Sequence, residues 1–132
     1  MSERQAVLYV DQSLRRRPVA GRHARALASD ALGWSEPCPD DGELALVITE
    51  LVANAVRHGR GRRIGLRLEG RQKTLRVEVE NRCWTTLPRR RLPSEVRPSG
   101  RGLALVAAYA RSWGVDACAR GRTRVWAEVD RR

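Results

Sequence analysis

The sequence predicts an α+β protein, a two-layer sandwich in which a mixed, mostly antiparallel sheet carries three helices on one face. Three segments repeat apolar residues every three or four positions, which is the period of a helix. Other segments alternate apolar and polar residues, which is the period of a strand, and four of them form neighbouring pairs. Helices interspersed with paired strands are typical of one sheet packed against helices.

Each predicted element follows from its local pattern. A short apolar strand opens the chain, an alanine-rich helix ends at Gly33, and the strongest helix pattern ends at Gly59. Two alternating strands form a hairpin, a long loop without periodicity is a candidate lid, and a third helix is predicted to end at Gly114. A second hairpin closes the chain. These elements occupy residues 5–11, 19–32, 43–58, 63–69, 74–80, 82–98, 101–112, 115–119 and 124–130.

Length and composition predict a single domain over residues 1–132, with its lid at about 82–99. The chain is 42% hydrophobic, which is too apolar for a disordered tail. It has neither a signal-peptide pattern nor an apolar run of the ~20 residues that cross a bilayer, so we expect a cytoplasmic protein without membrane association. Its three cysteines form no C-x-x-C pair, so neither a disulfide framework nor a cysteine zinc site is expected.

The net charge of +11 suggests a nucleic-acid binder. However, 25 of the 26 basic residues are arginine, which is typical of a codon bias, and the excess is uneven along the chain. Segment 41–58 has one arginine and three acidic residues, whereas 59–76 has seven basic residues and one acidic residue. Because no helix-turn-helix or basic-zipper pattern is present, we expect no nucleic-acid partner. The excess indicates codon bias or a docking face for an acidic protein.

Helix 43–58 carries a polar stripe on an otherwise apolar surface. Glu43, Glu50, Asn54 and Arg57 fall within about 60° of one another around the helix axis, with His58 alongside. Burying such groups without partners costs several kcal/mol, so the stripe either faces solvent or lines a site. An asparagine oxygen suits Mg²⁺, and a glutamate one turn earlier can accept a proton.

Residues 99–103, Ser-Gly-Arg-Gly-Leu, join the long loop to the third helix. Glycines there let the backbone approach a ligand closely, and the free amides at a helix N-terminus attract anions. The alternative is a junction that uses glycine only for flexibility. Together with Glu50 and Asn54, the pattern favours a nucleotide site.

With these motifs in this order, the sequence resembles the histidine-kinase-type ATP-binding fold shared by gyrase and sensor kinases. Within that fold it resembles the small anti-sigma-factor serine kinases. The resemblance covers residues 19–132, and it is carried by residues 50–58 as the asparagine box, 100–103 as the glycine box after a lid, and 121–128 as the closing turn and strand.

The resemblance implies that ATP and Mg²⁺ bind between the two motif helices under the lid. Asn54 would coordinate Mg²⁺, Glu50 would act as general base toward a protein serine, and Thr123 would reach the adenine through a water. Three side chains would lie near the phosphates, where any of them could stabilise developing charge: Arg57, His58 and Arg101. The alternative for His58 is a histidine at the helix end that interacts with the last carbonyls of the helix. The phosphate cradle would comprise Ser99, Gly100, Arg101, Gly102 and Leu103.

One position departs from the family pattern. Asn81 stands where the family has an aspartate that accepts a hydrogen bond from the adenine amino group, and the glycines that follow are missing. A neutral hydrogen bond contributes ~0.5–1.5 kcal/mol against ~1.5–3 for a charged one. Either the affinity for ATP would fall about tenfold, or the preference for adenine over other bases would weaken.

The resemblance also implies protein partners, namely a sigma factor and an anti-sigma-factor antagonist. Relatives often form homodimers through the first strand and helix, here residues 6–10 and 19–32. The departure at Asn81 supports an alternative, a degenerate adaptor that binds partners without transferring phosphate.

Overall fold

The computed structural model describes residues 6–33, 42–82 and 102–131. These ranges form five strands and three helices, with a short 3₁₀ turn at Ala119–Gly121. In chain order the elements are β1 (Val7–Arg15), α1 (Ala20–Leu32), α2 (Gly42–His58), β2 (Arg60–Gly70), β3 (Thr74–Arg82), α3 (Gly102–Tyr109), β4 (Ser112–Cys118) and β5 (Arg122–Asp130). The candidate lid lies outside the described residues from position 83 onward.

The strands form one sheet in the order β1-β2-β3-β5-β4. All four neighbouring pairs are antiparallel. The predicted α+β sandwich is therefore confirmed, but the expectation of a mixed sheet was wrong. A parallel pair is usually joined by a crossover through one helix. Here two helices, α1 and α2, connect β1 to β2. Both predicted hairpins are antiparallel because a short turn reverses the direction of the chain.

The three helices share one face of the sheet, as predicted. Along β3, along β2 from Ile64 and along β5 from Val125, every second residue is buried, and these residues face the helices. Helix α2 lies across the centre and contacts β2, β3 and β5, while α1 packs on β1 and α3 packs on β4. The sheet's contribution to the core comprises Val10, Leu14, Ile64, Leu66, Leu68, Leu75, Val77, Val79, Val115, Val125, Ala127 and Val129.

The opposite face of the sheet, called the open face below, is polar. Arg76 donates from Nε to Glu78 Oε2 at 2.8 Å and from Nη1 to Glu128 Oε2 at 3.1 Å. The Arg76 guanidinium also lies 4.3 Å from the centre of the Trp126 ring. Arginine and glutamate side chains are therefore interleaved on this part of the open face.

Several predicted boundaries were wrong by three residues or more, those of β1 and α3 among them. β1 continues to Arg15 instead of ending at residue 11, because its second half pairs with β2 although most of its side chains are exposed. α3 ends at Tyr109, and Gly114 lies inside β4 instead of stopping a helix. A Cβ at Gly114 would lie 2.9 Å from Trp126 Cζ2, so close packing against the indole explains this glycine.

Arg16 follows β1 and fastens the end of α2. Its backbone amide donates to Arg62 O, its Nε to Gly61 O and its Nη1 to Val56 O, each at 2.7 Å. The carbonyls of a last helical turn have no partner within the helix, so Arg16 satisfies one of them. It thereby fixes the C-terminal end of α2, which carries the candidate site, against the strands.

Candidate functional site

Helix α2 presents the predicted polar stripe beside its buried face. Glu50 and Asn54 are partly buried, whereas Arg57 is exposed. The helix is therefore apolar on the side that faces the sheet and polar on one flank, where its side chains are accessible to a ligand. Its buried residues are Leu44, Val47, Ile48, Leu51, Val52 and Ala55.

Helix α3 lies directly against α2. Leu103 and Val106 are its buried residues and anchor it, and its first residue is Gly102. The structure thus brings together the two helices whose sequence motifs were predicted to form one site. Three predicted phosphate-side residues lie outside the described ranges: Ser99, Gly100 and Arg101.

Asn81 and Thr123 face each other on adjacent strands. They are direct partners in the antiparallel register of β3 and β5, and both occupy the face that carries the helices. Asn81 is only 5% exposed, which makes it the one buried polar or charged residue among the described positions. Its Nδ2 donates to the carbonyl oxygen of Arg82 at 3.0 Å. This bond leaves Oδ1 as the acceptor that an adenine amino group would need.

Gly59 lies where Asn81 packs against the end of α2. A Cβ at Gly59 would lie 2.5 Å from Asn81 Nδ2 and 2.6 Å from the Ala55 carbonyl oxygen. The sequence pattern identified Gly59 only as a helix stop. In the structure the missing side chain lets the buried amide of β3 pack against the last turn of α2, one residue from Asn54. The only signal in the sequence was the pair of glycines after the helix.

His58 and Arg57 differ in the charge that they bring to this end of α2. Burial lowers the pKa of His58 below its ordinary value of 6.5, and the neighbouring Arg57 guanidinium lowers the pKa further. His58 is therefore mostly neutral at pH 7 and contributes little positive charge. Among the described residues predicted on the phosphate side, Arg57 is the one that carries a positive charge. It is exposed and lines a cleft between α1 and α2.

The oxygen atoms available on α2 suit a magnesium ion whose other ligands come mainly from a nucleotide. Within the described ranges, no group of three or more histidine, cysteine, aspartate or glutamate residues is arranged to hold a metal. Mg²⁺ commonly takes one or two protein oxygens and completes its octahedron with phosphate oxygens and water. Asn54 Oδ1 can provide such an oxygen.

No helix in the described ranges combines the length and apolar character that crossing a membrane requires.

Compared with curated proteins, the chain has no match. Compared with protein families, residues 12–128 match the family described as the histidine kinase-like ATPase domain. The match spans β1 to β5 and includes every element that carries the site. The chain therefore belongs to the histidine kinase-like ATPase domain family.

Proposed function

We propose that this protein is an ATP- and Mg²⁺-dependent serine kinase of the anti-sigma-factor type. It would act in the cytoplasm as a single domain with its lid at about 82–99, sequester a sigma factor and phosphorylate an antagonist protein on serine. One observation carries the proposal: α2 presents Glu50 and Asn54 on one accessible flank and packs against α3, while Asn81 and Thr123 pair across the neighbouring strands β3 and β5. Membership of the ATPase domain family supports it.

In the proposed complex, the chain's own residues divide the work of binding. Asn54 Oδ1 holds Mg²⁺, the amides at the start of α3 bind phosphate oxygens, and Asn81 Oδ1 accepts a hydrogen bond from the adenine. Thr123, directly opposite Asn81, hydrogen-bonds to the base through a water. ATP and Mg²⁺ supply the transferable phosphoryl group and neutralise part of its charge.

In the transfer step, Glu50 accepts the proton of the substrate serine as its hydroxyl oxygen bonds to the γ-phosphorus. The bond between that phosphorus and the bridging oxygen breaks, so ADP leaves with the electron pair. Arg57 offsets negative charge near the phosphates. Glu50 suits this role because it is partly buried on the same flank as Asn54, one helical turn away.

Asn81→Asp is expected to have opposite effects on stability and on affinity. The new carboxylate loses the bond to the Arg82 carbonyl and faces that oxygen in a buried position, which lowers stability by about 1–3 kcal/mol. It also offers the adenine a charged acceptor, so Mg-ATP binds about tenfold more tightly. Thermal unfolding measures the first effect and titration calorimetry the second.

The matched control is Gln12→Glu, which makes the same change of amide to acid at an exposed position of β1. Neither the melting temperature nor the affinity for Mg-ATP should change appreciably. Weaker Mg-ATP binding by Asn81→Asp would contradict the placement of adenine at Asn81.

The alternative function is an adaptor that binds its partners without transferring phosphate. The observation that favours it is also at Asn81, whose amide is buried, bonded to its own strand and packed against Gly59 in the protein alone. Such a side chain stabilises the fold whether or not a nucleotide binds.

Phosphate transfer distinguishes the two functions. The protein is incubated with ATP labelled on its γ-phosphate and with a purified anti-sigma-factor antagonist from the same organism. A kinase transfers label to a serine of the antagonist, which mass spectrometry identifies. An antagonist that binds equally well with and without ATP, and that acquires no phosphoserine, would support the adaptor.

A further inference from the structure

A cavity of about 670 Å³ lies at the end of the sheet where β2 begins and β3 ends. We call it the arginine cavity, because five of its nine lining residues are arginine and no acidic residue lines it within the described ranges. Its polar lining comprises Ser13, Arg60, Arg62, Arg63, Arg82 and Arg122. All six are exposed. It includes none of the residues assigned above to ATP, Mg²⁺ or phosphate transfer.

The register of the strands builds this cavity. Arg60, Arg82 and Arg122 lie in one row across β2, β3 and β5. Between Arg60 and Gly65 the pairing of β2 with β3 shifts, and Gly61 takes a left-handed backbone conformation with φ of 87°. Bulges of this kind redirect side chains at the ends of sheets.

The charges in the cavity are poorly compensated. Arg63 donates from Nε to the Ser13 hydroxyl at 2.6 Å and from Nη2 to the Ser13 carbonyl at 2.9 Å, so it is held in place by neutral groups. Arg122 lies 3.6 Å from a Glu80 carboxylate oxygen, a long contact between partly exposed groups that contributes little.

For the remaining three, Arg60, Arg62 and Arg82, the described part of the chain places no carboxylate within 4.0 Å. Among the described residues, five cations thus share one concave surface with one counter-charge, Glu80, 3.6 Å from Arg122. A bound anion would relieve their mutual repulsion, and guanidinium groups bind carboxylates through two parallel hydrogen bonds.

We propose that the arginine cavity is a docking site for a carboxylate-rich segment of a partner protein. The cavity's volume lies in the range of sites that bind small groups. Its guanidinium lining is complementary to clustered Asp and Glu side chains in charge and in hydrogen-bonding geometry.

The rest of the open face favours a protein segment over nucleic acid. Beyond the cavity the strands carry Glu69, Glu78 and Glu128, each paired with arginine. A nucleic-acid backbone extended along the sheet would bring its phosphates against these carboxylates. A short acidic segment that ends within the cavity would not meet them. The proposal rests on no property of the nucleotide site, so it can fail or succeed independently of the proposed kinase activity.

Fluorescence anisotropy with the full chain tests the proposal. The probe is a fluorescein-labelled hexaglutamate peptide, and hexaglutamine and a short DNA duplex serve as comparison ligands. Arg62→Glu and Arg82→Glu should each weaken hexaglutamate binding at least about tenfold. Lys73→Glu makes the same change of net charge at an exposed position in the hairpin turn at the other end of the sheet, and should alter the affinity less than about twofold.

Three results would overturn the proposal. Hexaglutamate could bind no better than hexaglutamine, Lys73→Glu could weaken binding as much as the cavity variants, or the duplex could bind more tightly than hexaglutamate with the same sensitivity to Arg62 and Arg82. Arg62→Gln and Arg82→Gln test whether the losses in the glutamate variants arise from misfolding. They remove the charge without reversing it, and should show smaller losses in the same direction with unchanged melting temperatures.

Discussion

Glu50→Gln is expected to slow phosphate transfer to the antagonist serine by about 10²–10⁴-fold while leaving the affinity for Mg-ATP nearly unchanged. Glutamine keeps the size and the hydrogen-bonding oxygen of the side chain but cannot accept the serine proton. Glu50 lies on the accessible flank of α2 one turn from Asn54, so the substitution leaves the proposed metal ligand in place. Initial rates with γ-labelled ATP measure the first effect, and titration calorimetry measures the second.

Glu43→Gln is the matched control for this prediction. Glu43 lies on the same side of α2, nearly two turns before Glu50, and is also partly buried. Its substitution should leave the transfer rate within about twofold of wild type, because proton acceptance depends on a group within reach of the substrate hydroxyl. A normal transfer rate in Glu50→Gln would exclude Glu50 as the base. An equal loss of Mg-ATP binding would show that its role is structural.

Gly59→Ala is expected to lower the free energy of unfolding by about 1–3 kcal/mol or more. The added methyl group would lie 2.5 Å from Asn81 Nδ2 and 2.6 Å from the Ala55 carbonyl oxygen. Neither neighbour can give way easily, because Ala55 O belongs to the helix backbone and Asn81 is buried and hydrogen-bonded. Urea unfolding followed by circular dichroism measures the change. Because the substitution displaces Asn81, Mg-ATP binding should weaken as well.

Gly65→Ala provides the comparison for Gly59→Ala. Gly65 lies six residues later, within β2, and the nearest atoms to a Cβ there belong to Glu80 at 3.8 Å, which is ordinary contact. Alanine at such a position is neutral or stabilises a strand slightly, since it restricts the unfolded chain. Equal stability of the two variants would contradict the packing of Asn81 against the end of α2.

The fold could be predicted where burial leaves a periodic trace in the sequence. Helix α2 and the two hairpins each bury one face, so their apolar residues repeat at 3.6 or 2 positions. β1 was underestimated because it is an edge strand, and its second half carries exposed polar side chains around a single buried residue, Leu14. Gly114 was misassigned because the side chain that requires it, Trp126, is contributed by a different strand.

In the candidate site, too, the sequence predicts what lies within one element and not what depends on contacts between elements. Glu50 and Asn54 stood out because polar residues at helical spacing are conspicuous on an apolar helix. The pairing of Asn81 with Thr123 depends on the register between β3 and β5, which no local pattern specifies. The contact between Asn81 and Gly59 joins residues from two elements, and the same holds for Arg16, whose hydrogen bonds to Val56 and Gly61 span the fold.

The central claim is that this flank of α2 forms a nucleotide site. Titration of the wild-type chain and of Asn54→Ala with Mg-ATP tests it most directly. Asn54 is partly buried on α2 and contributes the one protein oxygen assigned to the metal. We expect saturable binding of one nucleotide by the wild type, a loss of affinity of at least about tenfold in Asn54→Ala, and a similar loss in the wild type when Mg²⁺ is chelated. Absence of binding by the wild type, or equal binding by both proteins, would contradict the site.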